Sequence, residues 1–414
     1  MNETGLVQSV NPDLDDLLSA EAVNEPFTYY KRLRDTAPVY WNARWNGWIF
    51  TDYQGVVAAY RDHDRLSSDR FAGPFGDNLT TKKSDYEQLI EFLNKFFVWK
   101  DQPYHTHIRT LVNKAFTPKS VEVLRPRVKE LVRSLAEPLR GRKSVDFLAE
   151  FAFGLPVIVI AEYLGVPAEA RQQVREWSED LGAVIFVQGH SADRFAAAEI
   201  AMGNLVDLIR PIVRDRRHDP KDDLISGMVH ATVDGDLLSD EEVIANAVLM
   251  VFAGHETTMN LLANGIVAFD KHPGEWDRLR NDPTMARTAV EEVLRYDGPI
   301  RAMARWAKEP FEFRGQQIAQ NDRLLLVQHA ANHDPQIFEN PDFFDPGRWP
   351  NKHLAFGQGI HTCLGAPLAR LEAQEAYAYL ADQFSSIEVL TKDLDYNPTI
   401  VSRSLKRLQV SFHA

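Results

Sequence analysis

Phe356-Gly-Gln-Gly-Ile-His-Thr-Cys363-Leu-Gly365 contains the only cysteine of a 414-residue chain. Glycines flank the cysteine, and the amphipathic run from Leu364 to about Phe384 that follows predicts a helix. At the start of a helix, free backbone N–H groups and the helix dipole favour a thiolate. The glycines leave room for a large flat group to approach the backbone. The alternative interpretation is a buried structural cysteine beside a glycine-rich turn.

Composition and length limit the class of protein. No Gly/Ser-rich linker or repeat divides the chain, so we predict an N-terminal arm (residues 1–25) and one domain (residues 26–414). The formal net charge of −13 without a Lys/Arg cluster excludes a nucleic-acid partner. One cysteine excludes an internal disulfide framework. The N-terminus has no apolar signal segment, and the longest apolar stretches (155–161 and 247–253) are too short for a bilayer, which predicts a cytoplasmic protein.

Hydrophobic periodicity predicts a mainly α protein with small β-sheets at one side. The turn pair Asn46-Gly47 between two apolar runs predicts a β-hairpin over residues 38–51. Apolar residues recur every three or four positions through residues 111–139, 147–164, 168–187 and 192–217, which predicts helices. Short strands are predicted at 311–313, 317–318, 324–327, 399–402 and 408–412.

A long helix is predicted from a capping box at Ser239-Asp-Glu-Glu242 to about Asp270. Its middle is unusual for a core helix. Gly254 weakens a helix by about 1 kcal/mol, Glu256 places a carboxylate in an apolar stretch, and Thr257 can bond back to the preceding turn and bend the helix. We expect a small polar notch there, in which an acid beside an alcohol can relay protons. The alternative is a kinked core helix with a salt-bridged glutamate.

Glu292-Val-Leu-Arg295 places a carboxylate and a guanidinium on one helical face. Such pairs are common on solvated helices, so this pair alone is a weak signal. Two later segments strengthen this signal, Ala331-Asn-His-Asp-Pro335 and Phe344-Asp-Pro-Gly-Arg348. Together with the Glu292–Arg295 pair they match a known family pattern.

These motifs, in this order, resemble those of the cytochrome P-450 superfamily over nearly the whole chain from Phe27. The resemblance implies a triangular, mostly α prism that encloses haem b, with the Cys363 thiolate as the iron ligand. It implies Glu256 as the acid and Thr257 as the alcohol of the oxygen-activation motif. It also implies a buried structural network formed by Glu292, Arg295 and Arg348.

The resemblance further implies a set of haem-binding residues. Four basic side chains match the family's contacts to the haem propionates: His105, Arg109, Arg305 and His361. The cysteine loop supplies the remaining haem contacts through Phe356, Gly357 and Gly365. Gln102 and His107 stand where the family more often has proline and arginine.

The implied reaction is insertion of one oxygen atom from O₂ into an unreactive bond of a small hydrophobic organic substrate, by hydroxylation, dealkylation or epoxidation. The lack of a membrane anchor or fused flavin domain resembles the soluble bacterial type, which a separate ferredoxin or flavodoxin and its reductase supply with electrons. We expect the donor to dock over Arg109, Lys114 and Lys352. The alternatives are a peroxide-driven peroxygenase, a haem sensor, and a diverted outcome such as coupling, nitration or desaturation.

Candidate substrate-pocket segments are residues 71–98, 181–190, 300–304 and 400–402, which are mostly apolar and predict a hydrophobic substrate. The residues that we expect to line the pocket are Met250, Ala253, Ile300, Arg301, Ala304 and Val401. Arg301 is the polar exception, and one hypothesis is that it binds a substrate carboxylate or phenolate. The alternative is an arginine turned to solvent or to a haem carboxylate.

Overall fold

The structure, a computed structural model, describes residues 11–69, 87–186 and 192–413. The α-helices of this described part, α1–α16 in chain order, are Ala20–Asn24, Pro26–Thr36, Tyr53–Arg61, Glu87–Leu93, Tyr104–Ala115, Pro118–Glu122, Arg125–Ala136, Gly154–Leu164, Arg171–Phe186, Ala192–His218, Leu224–His230, Asp240–Lys271, Pro273–Asn281, Ala286–Asp297, Gln328–Ala331 and Ala366–Gln383. Its strands, β1–β12, are Val39–Asn42, Gly47–Phe50, Leu66–Ser67, Val145–Asp146, Thr232–Val233, Asp236–Leu237, Met303–Ala307, Phe311–Phe313, Gln316–Ile318, Arg323–Leu326, Ser386–Val389 and Gln409–His413.

The sheets are small and lie beside a large helical body, which confirms the predicted mainly α architecture. The largest sheet has the order β1-β2-β10-β7-β3. Its first two strands form the predicted antiparallel hairpin, whose turn contains Asn46 in the left-handed region at φ 55°. Strand β10 then runs parallel to β2 and antiparallel to β7. A second sheet joins β11, β12 and β4 near the C-terminus.

Helix α12 is the central element of the helical body. Ser239 and Glu242 form the predicted reciprocal cap, and the helix then continues for 32 residues with most of its side chains buried. It packs against α8, α10, α14 and α16. A helix of this length spans about 48 Å, so it can hold one side of a large internal site.

Some predicted elements differ from those observed. The helix predicted over residues 111–139 is divided into α5, α6 and α7. Pro118 and Pro126 lack the backbone N–H that a continuous helix needs, so each lies in the first turn of a new helix. The strand predicted at 399–402 is wrong, since only an isolated bridge links Ser402 to Ile300. Strands β3, β4, β5, β6, β7 and β11 were not predicted.

Within the predicted N-terminal arm, the segment from residue 11 packs against the main sheet. Leu14, Leu17 and Ala22 are buried in a cluster that also contains Ile49 and Leu325 of the main sheet. The carbonyl oxygens of this segment accept bonds from arginines far along the chain, as described below. None of the described helices has the length and apolar character that crossing a membrane requires.

Gly265 on α12 allows close packing against α16. A Cβ atom at this position would lie 1.9 Å from the hydroxyl oxygen of Tyr377, which itself donates a 2.7 Å bond to the carbonyl of Leu261. We predict that Gly265→Ala lowers the free energy of unfolding by about 1–3 kcal/mol, because the buried ring must move. Urea denaturation measures this change.

Gly203→Ala on α10 is the matched control, since a Cβ atom there meets nothing within 4 Å. It should leave stability unchanged or raise it by up to about 1 kcal/mol, the usual gain of alanine over glycine in a helix. Equal effects of the two substitutions would contradict the packing argument.

Candidate functional site

A cavity of about 660 Å³ lies between α12 and the loop that carries Cys363. From α12, it is lined by Met250, Ala253, Thr257 and Leu261. The opposite wall is the Cys363 loop, and further lining comes from the chain after α14 and from the main sheet. The cavity therefore brings together segments that are more than 100 residues apart in sequence.

The Cys363 loop is a tight turn that ends at the start of α16. The N–H of Cys363 donates a 2.9 Å bond to the carbonyl of Phe356, which closes the loop. Gly357 and Gly359 adopt left-handed φ values of 65° and 73°. A Cβ atom on Gly359 would lie 2.7 Å from the carbonyl of Tyr60, so the loop needs glycine there both for its conformation and for its fit against α3.

Cys363 lines the cavity, and its exposed surface faces this internal space. Burial raises the pKa of the Cys363 thiol above its ordinary value. Four groups act in the opposite direction: the backbone N–H groups of Gly365 and Ala366, which bond to the sulfur, and the guanidinium groups of Arg109 and Arg370. The N–H donors at the start of α16 are the features that we predicted from the sequence. Their effect on the thiol is smaller than the effect of burial.

Basic side chains gather at one edge of the cavity, beside the Cys363 loop. His105 and Arg109 lie on one face of α5, and the rings of His105 and His361 are 4.1 Å apart. Arg305 is buried on β7, with its guanidinium carbon 5.5 Å from the centre of the Tyr60 ring. Burial and the neighbouring cations lower the pKa of His105 to about 4 and that of His361 to about 2.

Among the described residues, no carboxylate forms a hydrogen bond with a side chain of this basic cluster. Both ring nitrogens of His105 are buried without a hydrogen-bond partner among the described residues. Arg305 donates to the carbonyl of Ala304, and Arg109 donates to the carbonyl of Thr362. Asp101 acts on His105 and Arg305 from nearby, but its Oδ1 accepts the N–H of Ser68. The geometry is that of a site for an external anion.

A buried ion network fixes the segment that leads into the Cys363 loop. Glu292 and Arg295 have no exposed surface, and two 2.8 Å bonds join them. Arg348 donates to both carboxylate oxygens of Glu292 at 3.1 Å, and Asn351 adds a 3.0 Å bond. Arg295 also donates to the carbonyls of Asn332, Pro341 and Phe343. The structure thus joins the three predicted residues, and Asn351 is a member that the sequence did not indicate.

A second ion pair, missed from the sequence, holds the loop from the other side. Arg370 on α16 donates two bonds of 2.7 and 2.8 Å to Glu291 and stacks 4.4 Å over the ring of Phe356. Burial acts to raise the pKa of Glu291, but His353 and Arg370 outweigh it and lower the pKa to about 2. The adjacent acids Glu291 and Glu292 could have indicated this second ion pair. Neighbouring residues of a helix do not face each other, so the two carboxylates need different partners.

Thr257 and Glu256 lie on different faces of α12. Thr257 lines the cavity, and its hydroxyl donates a 3.1 Å bond to the carbonyl of Ala253, as predicted. Glu256 does not line the cavity, so the single polar notch that we expected for the two residues is not formed. A Cβ atom on Gly182 of α9 would lie 2.9 Å from Oε2 of Glu256, so the carboxylate points toward α9. Burial raises the pKa of Glu256 to about 7.

Most of the predicted pocket residues line the cavity. Met250, Ala253, Ile300, Ala304 and Val401 do so, as do the described residues Phe97 and Val98 of the predicted 71–98 segment. Residues 71–86 and 187–190 lie outside the described part of the chain.

The structure corrects the hypothesis about Arg301. Its guanidinium points away from the cavity, donating to the carbonyls of Thr399 and Ala22 and to the hydroxyl of Tyr30. It is almost fully buried at 1% exposure. Consecutive residues of an extended chain point to opposite sides, so the placement of Ile300 in the cavity directs Arg301 outward.

The three cations that we expect to form the donor-docking patch have different surroundings. Arg109 belongs to the basic cluster at the cavity edge, and the ammonium of Lys114 donates to the carbonyl of Thr232. Lys352 is exposed.

Comparisons with known proteins agree with this geometry. The family model described as cytochrome P450 matches residues 184–407. A polyketide biosynthesis cytochrome P450 of Bacillus subtilis (strain 168) is 36% identical over 397 residues, covering 94% of this chain and 96% of the relative. A biotin biosynthesis cytochrome P450 of the same organism is 35% identical over 397 residues, covering 95% and 98%.

Solved structures give the same result. Cytochrome P450 CYP109Q5 from Chondromyces apiculatus superposes with a TM-score of 0.86 at 31% identity, covering 96% of this chain and 98% of that one. P450BioI, solved with an acyl carrier protein that carries hexadec-9Z-enoic acid, also has a TM-score of 0.86, at 34% identity, covering 96% and 99%.

We predict that Glu292→Ala prevents haem incorporation. The substitution leaves two arginines buried without their carboxylate, a loss of about 3–5 kcal/mol. Haem content per folded protein, measured by absorbance, should fall severely. Glu150→Ala is the control, because Glu150 forms a partly exposed pair with Arg142, and such pairs contribute about 0–1 kcal/mol. A soluble, haem-replete Glu292→Ala protein would contradict the proposed role of the network.

We also predict a pH-dependent stability difference between Glu256→Gln and the unsubstituted protein. Between the ordinary value of 4.5 and about 7, the carboxyl group ionises in the unfolded chain but stays protonated in the folded one. The unfolded state then binds fewer protons, so the stability contribution of Glu256 falls as pH rises, by at most about 3 kcal/mol. Glutamine has no such titration.

Urea denaturation of both proteins at several pH values measures this difference. The advantage of Glu256→Gln should grow through the window and level off above pH 7. Glu179→Gln, at an exposed position of α9, is the control for removal of a carboxylate from a helix surface. If the free energies of unfolding of Glu256→Gln and the unsubstituted protein changed with pH in parallel, the Glu256 carboxyl group would not be buried in its protonated form.

Proposed function

Because the chain belongs to the cytochrome P450 family, whose members bind haem b and act as monooxygenases, we propose that its cavity binds a small, mostly hydrophobic organic substrate and inserts one oxygen atom from O₂ into it. The observation that carries this proposal is the sulfur of Cys363, which opens into an apolar cavity beside an unneutralised basic cluster.

The residues present fit haem. Its two propionates would supply the anions that the basic cluster lacks, with charge-assisted bonds from Arg109 and Arg305 and from the unpartnered nitrogens of His105. His361, whose ring packs against that of His105, would complete this edge of the site. Gly365 lies beside the sulfur, since a Cβ atom there would be in ordinary van der Waals contact with it at 3.9 Å.

Cys363 would hold the haem iron, and the bound haem would supply O₂ activation, since a thiolate ligand donates electron density to the iron. The N–H groups of Gly365 and Ala366 and the guanidinium of Arg370 stabilise negative charge on that sulfur. Arg370 also holds Phe356 against the loop, which keeps the sulfur in place.

Proton delivery on the opposite wall falls to Thr257. Its hydroxyl lies on the cavity surface, where it can hold a proton donor such as water while bonded to Ala253. Glu256 would serve as the proton source for this face by rotating from α9 toward Thr257, and its pKa of about 7 suits a group that both binds and releases protons.

We further propose that a separate ferredoxin or flavodoxin, with its reductase, supplies the electrons. Hydroxylation, dealkylation and epoxidation are all compatible with the apolar lining. Thr257 on the cavity wall favours the use of O₂ over direct use of peroxide, because peroxide brings its own protons.

The test is the absorption spectrum of the purified, reduced protein exposed to carbon monoxide. We predict a strongly red-shifted Soret band, which is the signature of thiolate-ligated haem. Cys363→His should retain haem but lose this shift, because imidazole replaces the thiolate. A spectrum typical of histidine ligation in the unsubstituted protein would contradict the proposal, and so would an unchanged spectrum in Cys363→His.

A further inference from the structure

One ion pair beside the Cys363 loop carries a charge that acts on the sulfur. Arg370 lies on the second turn of α16, and its guanidinium is one of the groups that lower the pKa of the Cys363 thiol. The carboxylate of Glu291 on α14 accepts two bonds from this guanidinium, and the described residues include no other carboxylate within ion-pair distance of it. The electrostatic effect of Arg370 on the sulfur therefore depends on Glu291.

The surroundings of Arg370 keep its guanidinium beside the loop. The two bonds to Glu291, of 2.7 and 2.8 Å, form a bidentate pair, which fixes orientation as well as distance. The guanidinium carbon also lies 4.4 Å from the centre of the Phe356 ring. Since the carbonyl of Phe356 accepts the N–H of Cys363, the cation lies over the residue that closes the loop.

His353 holds Glu291 without changing the charge of the pair. Nε2 of His353 lies 2.9 Å from Oε2 of Glu291, and its Nδ1 accepts the N–H of Ala355 at 3.2 Å. A ring nitrogen that accepts a hydrogen bond carries no proton, so the single proton is on Nε2 and the ring is neutral. The pKa of Glu291 is lowered to about 2, so its carboxyl group is ionised. The group thus carries one negative and one positive charge.

These charges matter because reduction changes the charge of a haem–thiolate centre. When the donor protein transfers one electron, ferric haem becomes ferrous, no bond forms or breaks, and the centre gains one negative charge. A cation near the sulfur favours the reduced form and raises the reduction potential, whereas an anion lowers it. An unpaired Arg370 would therefore raise the potential, and the charge of Glu291 opposes that effect.

We propose that Glu291 is a positioning residue that, through Arg370, sets the reduction potential of the haem–thiolate centre. This inference rests on the proposed haem-thiolate function. The pair keeps a fixed guanidinium beside the sulfur without the loss of electron density on the sulfur that an unpaired cation would cause. Of the two adjacent acids on α14, Glu292 belongs to the structural network and Glu291 to the control of electron transfer.

A charge cycle of three variants tests this inference. The reduction potential of the haem-loaded protein is measured by spectroelectrochemical titration at pH 8, well above the ordinary pKa of a carboxyl group. Glu291→Gln leaves Arg370 unpaired and should raise the potential, and Arg370→Gln leaves Glu291 unpaired and should lower it. The double variant, Glu291→Gln with Arg370→Gln, has a neutral pair again and should return to the value of the unsubstituted protein.

The expected shifts follow from one unit charge acting in a partly buried site. Each single variant should change the ratio of ferrous to ferric haem at a fixed electrode potential about tenfold, which is about 59 mV for a one-electron couple. The double variant should stay within about twofold of the unsubstituted ratio. The carbon monoxide spectrum of each variant checks that the thiolate is still the ligand.

Two further variants separate charge from packing. Arg370→Lys keeps the charge but loses the bidentate bonds and the stacking on Phe356, so its ratio should stay within about threefold of the unsubstituted one. Glu375→Gln is the matched control, because Glu375 is an acid on the same helix that binds Arg125. It lies about 7.5 Å beyond Arg370 along the helix axis, and its removal should change the ratio less than about twofold.

Shifts of the same sign in the two single variants would show that the pair acts through packing of the loop, and they would overturn the inference. A double variant that departs further than either single variant would have the same meaning. If Glu291→Gln lost its haem, Arg370→Gln and the double variant, which differ only in the charge of Glu291, would decide. The double variant should then have the higher potential, and equal potentials would overturn the inference.

Failure of the proposed function has a different signature. It would be seen as the absence of a thiolate-type carbon monoxide spectrum in the unsubstituted protein, before any variant is compared.

Discussion

A buried carboxylate needs hydrogen-bond partners. The partners of the buried Glu292 carboxylate fix the segment that leads to Cys363. An isolated charge in the interior costs several kcal/mol, so Arg295, Arg348 and Asn351 must all remain in place for the fold to be stable. Arg295 in turn orders three backbone carbonyls of the chain before the cysteine loop. Since Glu291, next in sequence, binds Arg370 behind the loop, one turn of α14 restrains the cysteine from two sides.

The parts of the site that could be predicted from the sequence are those governed by local geometry. The Cys363 loop precedes its helix directly, so its glycines and N–H donors are neighbours in the chain. The shared polar notch that we expected for Glu256 and Thr257 does not form, since adjacent residues are about 100° apart around the helix axis and point to different neighbours. The role of Arg301 could not be predicted in this way, because its partners, Ala22 and Thr399, lie about 280 and 100 residues away. For the same reason the sequence did not indicate that the guanidinium of Arg323 donates to the carbonyls of Trp45 and Asn46 in the β1–β2 turn.

Electrostatics divides the cavity into regions with different tasks. Near Cys363, buried cations and helix N–H groups favour an anionic sulfur and the carboxylates of haem. On α12, the cavity wall is apolar apart from hydroxyl groups such as that of Thr257. The low polarity of that wall strengthens each remaining electrostatic interaction, so few charged groups are needed to control the chemistry. Near the β1–β2 hairpin, Arg323 also lines the cavity, and its side chain leaves the face of the sheet opposite to that of Arg305.

The bonds of Arg301 give helix α1 an influence on the shape of the cavity. The N–H of Arg301 donates a 2.7 Å bond to the carbonyl of Val401, and its guanidinium is anchored to Ala22. Ile300 and Val401, on either side of that bond, both line the cavity. Cutting back or fusing the N-terminal segment would thus alter substrate selectivity at a distance. A library that varies residues around Ala22 could reshape the binding surface without touching any residue that contacts the substrate.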